Sequence, residues 1–214
     1  MLISNRLPHE YFITTGKGES NAGSKGLPFE TGSYDDALND AGIENANIMV
    51  YTSVMPTHIK EIEKSKALKT IKWGQVLECI MAKHNGRKGE RIAAAVMINS
   101  VYDKNNKYLG GYATEYAGGG TEDDAKKSLL ESVKGMMERR GLGKLPENTK
   151  FGEDNKTDKG YIIHPGKIFA YDSINVKKQA GTVIASICFL SFKVETLHKS
   201  ILNKTNKTRK RKIN

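Results

Sequence analysis

The residues best placed for chemistry in this chain are a pair of hydroxyls. Residues 50–56 read VYTSVMP, so Thr52 and Ser53 end a strand-like run that Pro56 closes. Two readings stand. Both hydroxyls hydrogen-bond water at a strand edge, or the Thr52–Ser53 peptide bond is itself the reacting group. Four more residues belong with the second reading, and each has a plain alternative. Asn47, six residues before Ser53, also reads as a turn asparagine at a strand entry. Glu115 lies in a strand of small residues and otherwise reads as a solvated edge glutamate. Asp35 is otherwise a first-turn aspartate, favourable at a helix dipole. Leu38, one turn on, is otherwise ordinary core.

Familiar catalytic patterns are missing. The glycines of GKGESNAG, residues 16–23, miss the dinucleotide spacing, and no GxxxxGK[ST] phosphate loop occurs. The serine in Gly23-Ser24-Lys25-Gly26 is misplaced for a nucleophile elbow. Histidines 9, 58, 84, 164 and 198 show no paired metal spacing. Neither a metal ion nor pyridoxal phosphate is therefore expected.

The segment DDALNDAGIENANIMVYTSVMP, residues 35–56, resembles the self-cleavage region of the pyruvoyl-dependent arginine decarboxylases. It carries a D-x-A-L helix, A-G-I, an N-x-N pair and a strand ending in [TS]-S-[VI]-M-P. A second block, GGYATEYAGG at 110–119, resembles that family's small-residue strand with a glutamate in an E-Y step. GQVLECIMA and GESNAG are most similar to the branch found in chlamydia-like bacteria. The resemblance spans about Gly16 to about Lys193 and leaves out the end of the chain.

The resemblance implies a covalent pyruvoyl group made from Ser53. Losing CO2 from an amino acid leaves charge at Cα, which an electron sink must accept. A chain-borne ketone does this through a Schiff base with the substrate amine. Self-cleavage would give fragments 1–52 and 53–214, with Thr52 as the cleavage partner. Asn47 is implied as an oxyanion donor during maturation. Glu115 is implied as the proton donor to Cα, a role that suits a carboxyl kept neutral by burial. Asp35 would face the substrate guanidinium and Leu38 its methylene chain. Glu44 has little claim as a ligand, and Glu78 receives no role. The cleavage pair here is Thr-Ser where other members have Ser-Ser, but the attacking serine is unchanged.

The elements that must position these residues are strand-rich. Residues 16–32 read as loop, and Ser33 with Asp36 as a capping box for a helix ending before Gly42. Residues 43–54 read as one strand, 70–83 as another, HNGRKG as a turn, and 91–102 and 108–117 as strands. Thr121 and Asp124 form a second capping box, opening a helix with an apolar stripe of Ala125, Leu129, Val133 and Met136/Met137. Two strands close the pattern. This is an α+β layered sandwich in one domain, residues 1–195; the resemblance implies four αββα layers and a homotrimer with active sites between subunits.

The chain has 214 residues, enough for one substantial core. Cys79 and Cys188 lie in apolar runs and read as buried free thiols. No signal peptide is recognised, and no apolar run reaches the ~20 residues a membrane helix needs, so a cytoplasmic protein is expected. Seven of the ten net positive charges lie in the last sixteen residues. That tail, 196–214, reads as basic and disordered, and nucleic-acid binding is not expected of the whole. The function read here is decarboxylation of L-arginine to agmatine and CO2. The alternatives are a pyruvoyl decarboxylase for another amino acid, and a non-catalytic binding protein of the same fold using its basic tail.

Overall fold

A computed structural model describes residues 6–21 and 30–194. Two five-stranded sheets stack face to face. The first has the order β2 (Asn47–Val50), β5 (Val76–Arg87), β10 (Ala180–Val194), β1 (Arg6–Ser20) and β4 (Lys60–Glu61). The second runs β3 (Val54–Met55), β7 (Tyr108–Gly118), β6 (Arg91–Tyr102), β9 (Ile162–Asn175) and β8 (Asn155–Lys156). Helix α1 (Glu30–Ala41) covers the outer face of the first sheet, and α3 (Glu122–Arg139) that of the second. A four-residue helix, α2 (Lys64–Ala67), lies between β4 and β5.

The period-2 alternation of the strands builds the layers. In β6, Ala94, Val96 and Ile98 face the space between the sheets, while Ala95 and Met97 face α3. In β10, Val183, Ala185 and Ile187 fill the same inner layer, while Ile184 and Cys188 pack under α1. The result is the expected αββα order. Cys79 and Cys188 are buried free thiols that sit directly opposite one another on β5 and β10.

Several local expectations fail. Residues 16–20 are strand, not loop: Gly16 and Gly18 lie in β1 beneath α1. A Cβ at Gly16 would come within 2.1 Å of the Ala37 carbonyl oxygen, so the glycines exist for close helix approach. Ser33 does not cap α1 but lies buried inside it, its Oγ 2.7 Å from Thr182 Oγ1, so Ser33 and Asp36 form no capping box. Residues 70–75 form turns rather than strand, HNGR remains in β5, and the reversal falls at 88–90 around Gly89 with φ +89°. The α3 capping box forms as read: Thr121 Oγ1 accepts from the Asp124 N–H, and Asp124 Oδ2 accepts from the Thr121 N–H at 2.8 Å. The basic tail lies outside the described residues.

Candidate active site

The strand read over 43–54 breaks, and the break falls on the hydroxyl pair. β2 belongs to one sheet and β3 to the other, so residues 51–53 carry the chain from sheet to sheet. Both ends of the crossing are tied to backbone. The Tyr51 N–H donates to the Cys79 carbonyl at 2.7 Å, and the Ala113 N–H donates to the Ser53 carbonyl at 2.9 Å. The Thr52–Ser53 peptide therefore hangs between two fixed points on different sheets. Buried Met55 seats β3 against β7. Gly110, at φ +110°, makes that seat possible, since a Cβ there would lie 2.7 Å from the Met55 carbonyl oxygen. Gly111 is filled in the same sense by the Asn99 backbone, 2.6 Å from where its Cβ would be, and so opens no room for a ligand.

Ser53 opens onto a cavity of about 530 Å³ between β7 and α3. Thr114 and Glu115 line it on the strand side, and Glu131, Met136 and Arg139 on the helix side. The size suits a small-molecule substrate. The Glu115 carboxyl keeps contact with solvent in the single chain, yet burial by the surrounding protein raises its pKa. The strand side was legible in the sequence as the second motif block. The helix side was not: the sequence marked only the cap and the apolar stripe of α3.

The structure does not gather every candidate. Asn47 is the exposed first residue of β2; its N–H donates to the Gln75 carbonyl at 2.8 Å and its Nδ2 to the Gly74 carbonyl at 2.9 Å. Asp35 is exposed on α1, and Leu38, 9% exposed, packs in the core beneath that helix. Helix α1 lies on the opposite sheet from the cavity, so one chain does not bring Asp35 or Leu38 to Ser53. Among the described residues no three His, Cys, Asp or Glu side chains converge as metal ligands, and no helix is long and apolar enough to cross a membrane.

The profile of the pyruvoyl-dependent arginine decarboxylases matches residues 10–194. The chain belongs to that family. The pyruvoyl-dependent arginine decarboxylase AaxB of Chlamydia pneumoniae is 32% identical over 205 residues, which is 90% of this chain and 95% of that protein. The AaxB of Chlamydia muridarum is 33% identical over the same shares. A pyruvoyl-dependent arginine decarboxylase of Methanococcoides burtonii is 27% identical over 160 residues, covering 73% of this chain and 84% of its own. The match to the family takes in both halves of the fold, including the crossing at 51–53 and the cavity strand β7.

Proposed function

We propose that this chain cleaves itself between Thr52 and Ser53 and then decarboxylates L-arginine to agmatine and CO2. Membership of the family carries the reaction class, a carbon–carbon lyase working through a covalent pyruvoyl group. The observation that supports Ser53 as its source is its place at the sheet crossing, facing a cavity that also holds Glu115. Cleavage needs no added molecule but water. Ser53 Oγ bonds to the Thr52 carbonyl carbon, the C–N bond breaks, and the hydroxyl proton passes to the nitrogen. Loss of the Ser53 α-proton then expels Thr52 as a carboxylate and leaves a dehydroalanine. Water displaces the nitrogen as ammonia, and a ketone remains.

That ketone supplies a carbonyl to bind the substrate amine and accept the electrons released with CO2. The chain's own residues do the rest. Glu115, exposed in the single chain but with its pKa raised by the protein around it, delivers the proton to Cα. Fragment 1–52 stays bound after cleavage because β1 pairs with β10 from Arg6 to Ser20. For Asn47 to serve maturation as the oxyanion donor, its Nδ2 must exchange the Gly74 carbonyl for the Thr52 carbonyl oxygen.

The site is completed by a neighbouring copy in a homo-oligomer, a trimer in this proposal. Exposed Met49, Val50, Val54, Trp73 and Val76 surround the sheet edges next to the crossing and supply apolar area for that contact. Asp35 of the neighbour takes the substrate guanidinium, and Leu38 offers its remaining accessible edge to the methylene chain. The working compartment in this proposal is the cytoplasm.

Two measurements test the reading. Intact mass of the denatured protein should give two chains meeting at Thr52/Ser53, the larger with a pyruvoyl N-terminus. CO2 release across arginine, lysine, ornithine and histidine should favour arginine; equal rates would overturn the substrate assignment.

A further inference from the structure

Glu78 is a carboxylate in an apolar place. It lies on β5, 3% exposed, among the strands of the inner layer. One oxygen pairs with Arg6, and the other, Oε2, is buried without a hydrogen-bond partner among the described residues. Only one member of the pair has left water: the Glu78 side chain is 4% exposed and that of Arg6 52%. Burying a carboxylate costs desolvation that a half-exposed partner offsets only in part, so the position calls for another explanation.

What the pair holds is Tyr51. Arg6 Nη2 donates to the Tyr51 hydroxyl at 3.2 Å while also pairing with Glu78. The Arg6 guanidinium is itself fixed, 4.6 Å above the Phe192 ring. The Tyr51 ring lies 6.2 Å from that of Phe189, which in turn contacts Phe192. Burial and the nearby Glu78 carboxylate both raise the Tyr51 pKa, so the phenol keeps its proton. Tyr51 is thus held three ways: by its backbone N–H on Cys79, by its ring, and by its hydroxyl. Its neighbour in the chain is Thr52, whose carbonyl carbon Ser53 Oγ must reach.

We infer that Glu78 and Arg6 are positioning residues for self-cleavage. They lock Tyr51 and with it the Thr52 side of the reacting peptide, while the Ala113 N–H locks the Ser53 side. The new bond forms between Ser53 Oγ and the Thr52 carbonyl carbon, and an intramolecular attack of this kind depends steeply on placement. The arrangement also spans the cut: Arg6 and Tyr51 belong to fragment 1–52, Glu78 to fragment 53–214. The same lock therefore holds the freshly cut end in place. This inference rests on the cleavage reading above.

The test is a time course of cleavage by intact mass, starting from freshly made precursor. The chains compared are wild type, Tyr51→Phe, Glu78→Gln, Arg6→Gln and Arg6→Lys, with Ile187→Val as a control for destabilisation of the same core. Tyr51→Phe and Glu78→Gln should lower the first-order cleavage constant roughly 10- to 100-fold. Arg6→Lys should recover part of the rate lost in Arg6→Gln. Turnover per cleaved chain should stay within about twofold of wild type, because the lock acts before the substrate arrives. Variants that cleave at the wild-type rate overturn the inference and leave the cleavage reading standing. So does slowing that Ile187→Val reproduces at equal loss of thermal stability. A wild-type chain that stays whole overturns both. Tyr51→Phe removes one oxygen and keeps the ring packing, so the test does not depend on Glu78→Gln folding.

Discussion

The two helices cover their sheets in opposite ways. Helix α1 lies on β1 at backbone contact. Without side chains at Gly16 and Gly18, the Ala37 carbonyl oxygen and the Ala37 amide nitrogen come within 2.1 Å and 2.5 Å of where a Cβ would sit. Helix α3 grips its sheet through Ala125, Leu129, Val133 and Met137, and towards β7 its polar side stands off to leave the 530 Å³ cavity. One αββα fold thus has a face sealed between α1 and β1, apart from a hollow of about 340 Å³ beside Gly18 and Asp36, and an open one. The sealed face ties α1 and β1, both from the segment before Thr52, into the first sheet. The open face is where a ligand can reach Ser53 and Glu115. Within one chain, access to Ser53 and cohesion of the fold fall to different helices, and α1 would return to the chemistry only through Asp35 and Leu38 in a neighbour's site.

The largest effect belongs to the open side. Ser53→Ala removes the attacking hydroxyl, so the chain should remain whole on a denaturing gel and show no decarboxylation. Melting temperature should barely move, because Ser53 is held by its backbone carbonyl rather than its side chain. Next is Glu115→Gln. It should cleave normally yet lose about 10²-fold in kcat if Glu115 is the proton donor. The pH dependence has a definite sign. Burial raises the Glu115 pKa, so the carboxyl stays protonated to higher pH than an ordinary glutamate. Turnover should fall as pH rises through that raised value, and Glu115→Gln should flatten this basic limb. A basic limb that Glu115→Gln leaves unchanged would place the donor elsewhere.

Both of these residues were legible in the sequence, because local motifs carry them: hydroxyls before Met55-Pro56, and a glutamate among small residues. What was not legible depends on distant partners. Ser33 looks like a helix cap until Thr182 supplies its hydroxyl with a buried partner. Residues 43–54 alternate like one strand, and nothing local says that the chain changes sheets at 51–53. Gly16 and Gly18 read as loop because the surface they accommodate belongs to α1, which comes later in the chain. Glu78 carried no local signal at all; its meaning appears only when Arg6 and Tyr51 meet it across 72 and 27 residues of sequence. Asp35 and Leu38 are the opposite case, motif residues that a single chain leaves far from the cavity.

On the sealed side the effects should be smaller and fall first on stability. Gly18→Ala drives a methyl into the Ser33 carbonyl oxygen, 2.4 Å from the ideal Cβ, and α1 must lift to accept it. A loss of about 1–3 kcal/mol in denaturant unfolding is expected. The matured protein should also release fragment 1–52 at lower denaturant than wild type, and KM for arginine should rise as the lifted α1 moves Asp35 in the neighbour's site, while kcat at low temperature is little changed. If Gly18→Ala instead lowers kcat strongly without loosening the fragment, α1 reaches the reacting atoms themselves and the division between the two faces fails.

The smallest effect sharpens the same division from the other helix. Thr121→Ala removes the α3 cap and leaves the Asp124 N–H without its acceptor, at a cost of about 1 kcal/mol. For a chain of this size that is a fall in melting temperature of about 2–4 °C. The cavity residues Glu131, Met136 and Arg139 lie more than two turns further along α3, and the apolar stripe from Ala125 to Met137 anchors them independently of the cap. Cleavage and turnover well below the melting temperature should therefore match wild type. A drop in turnover larger than the stability loss would mean that the cap sets the height of α3 over β7, and that the open face is held open from its end.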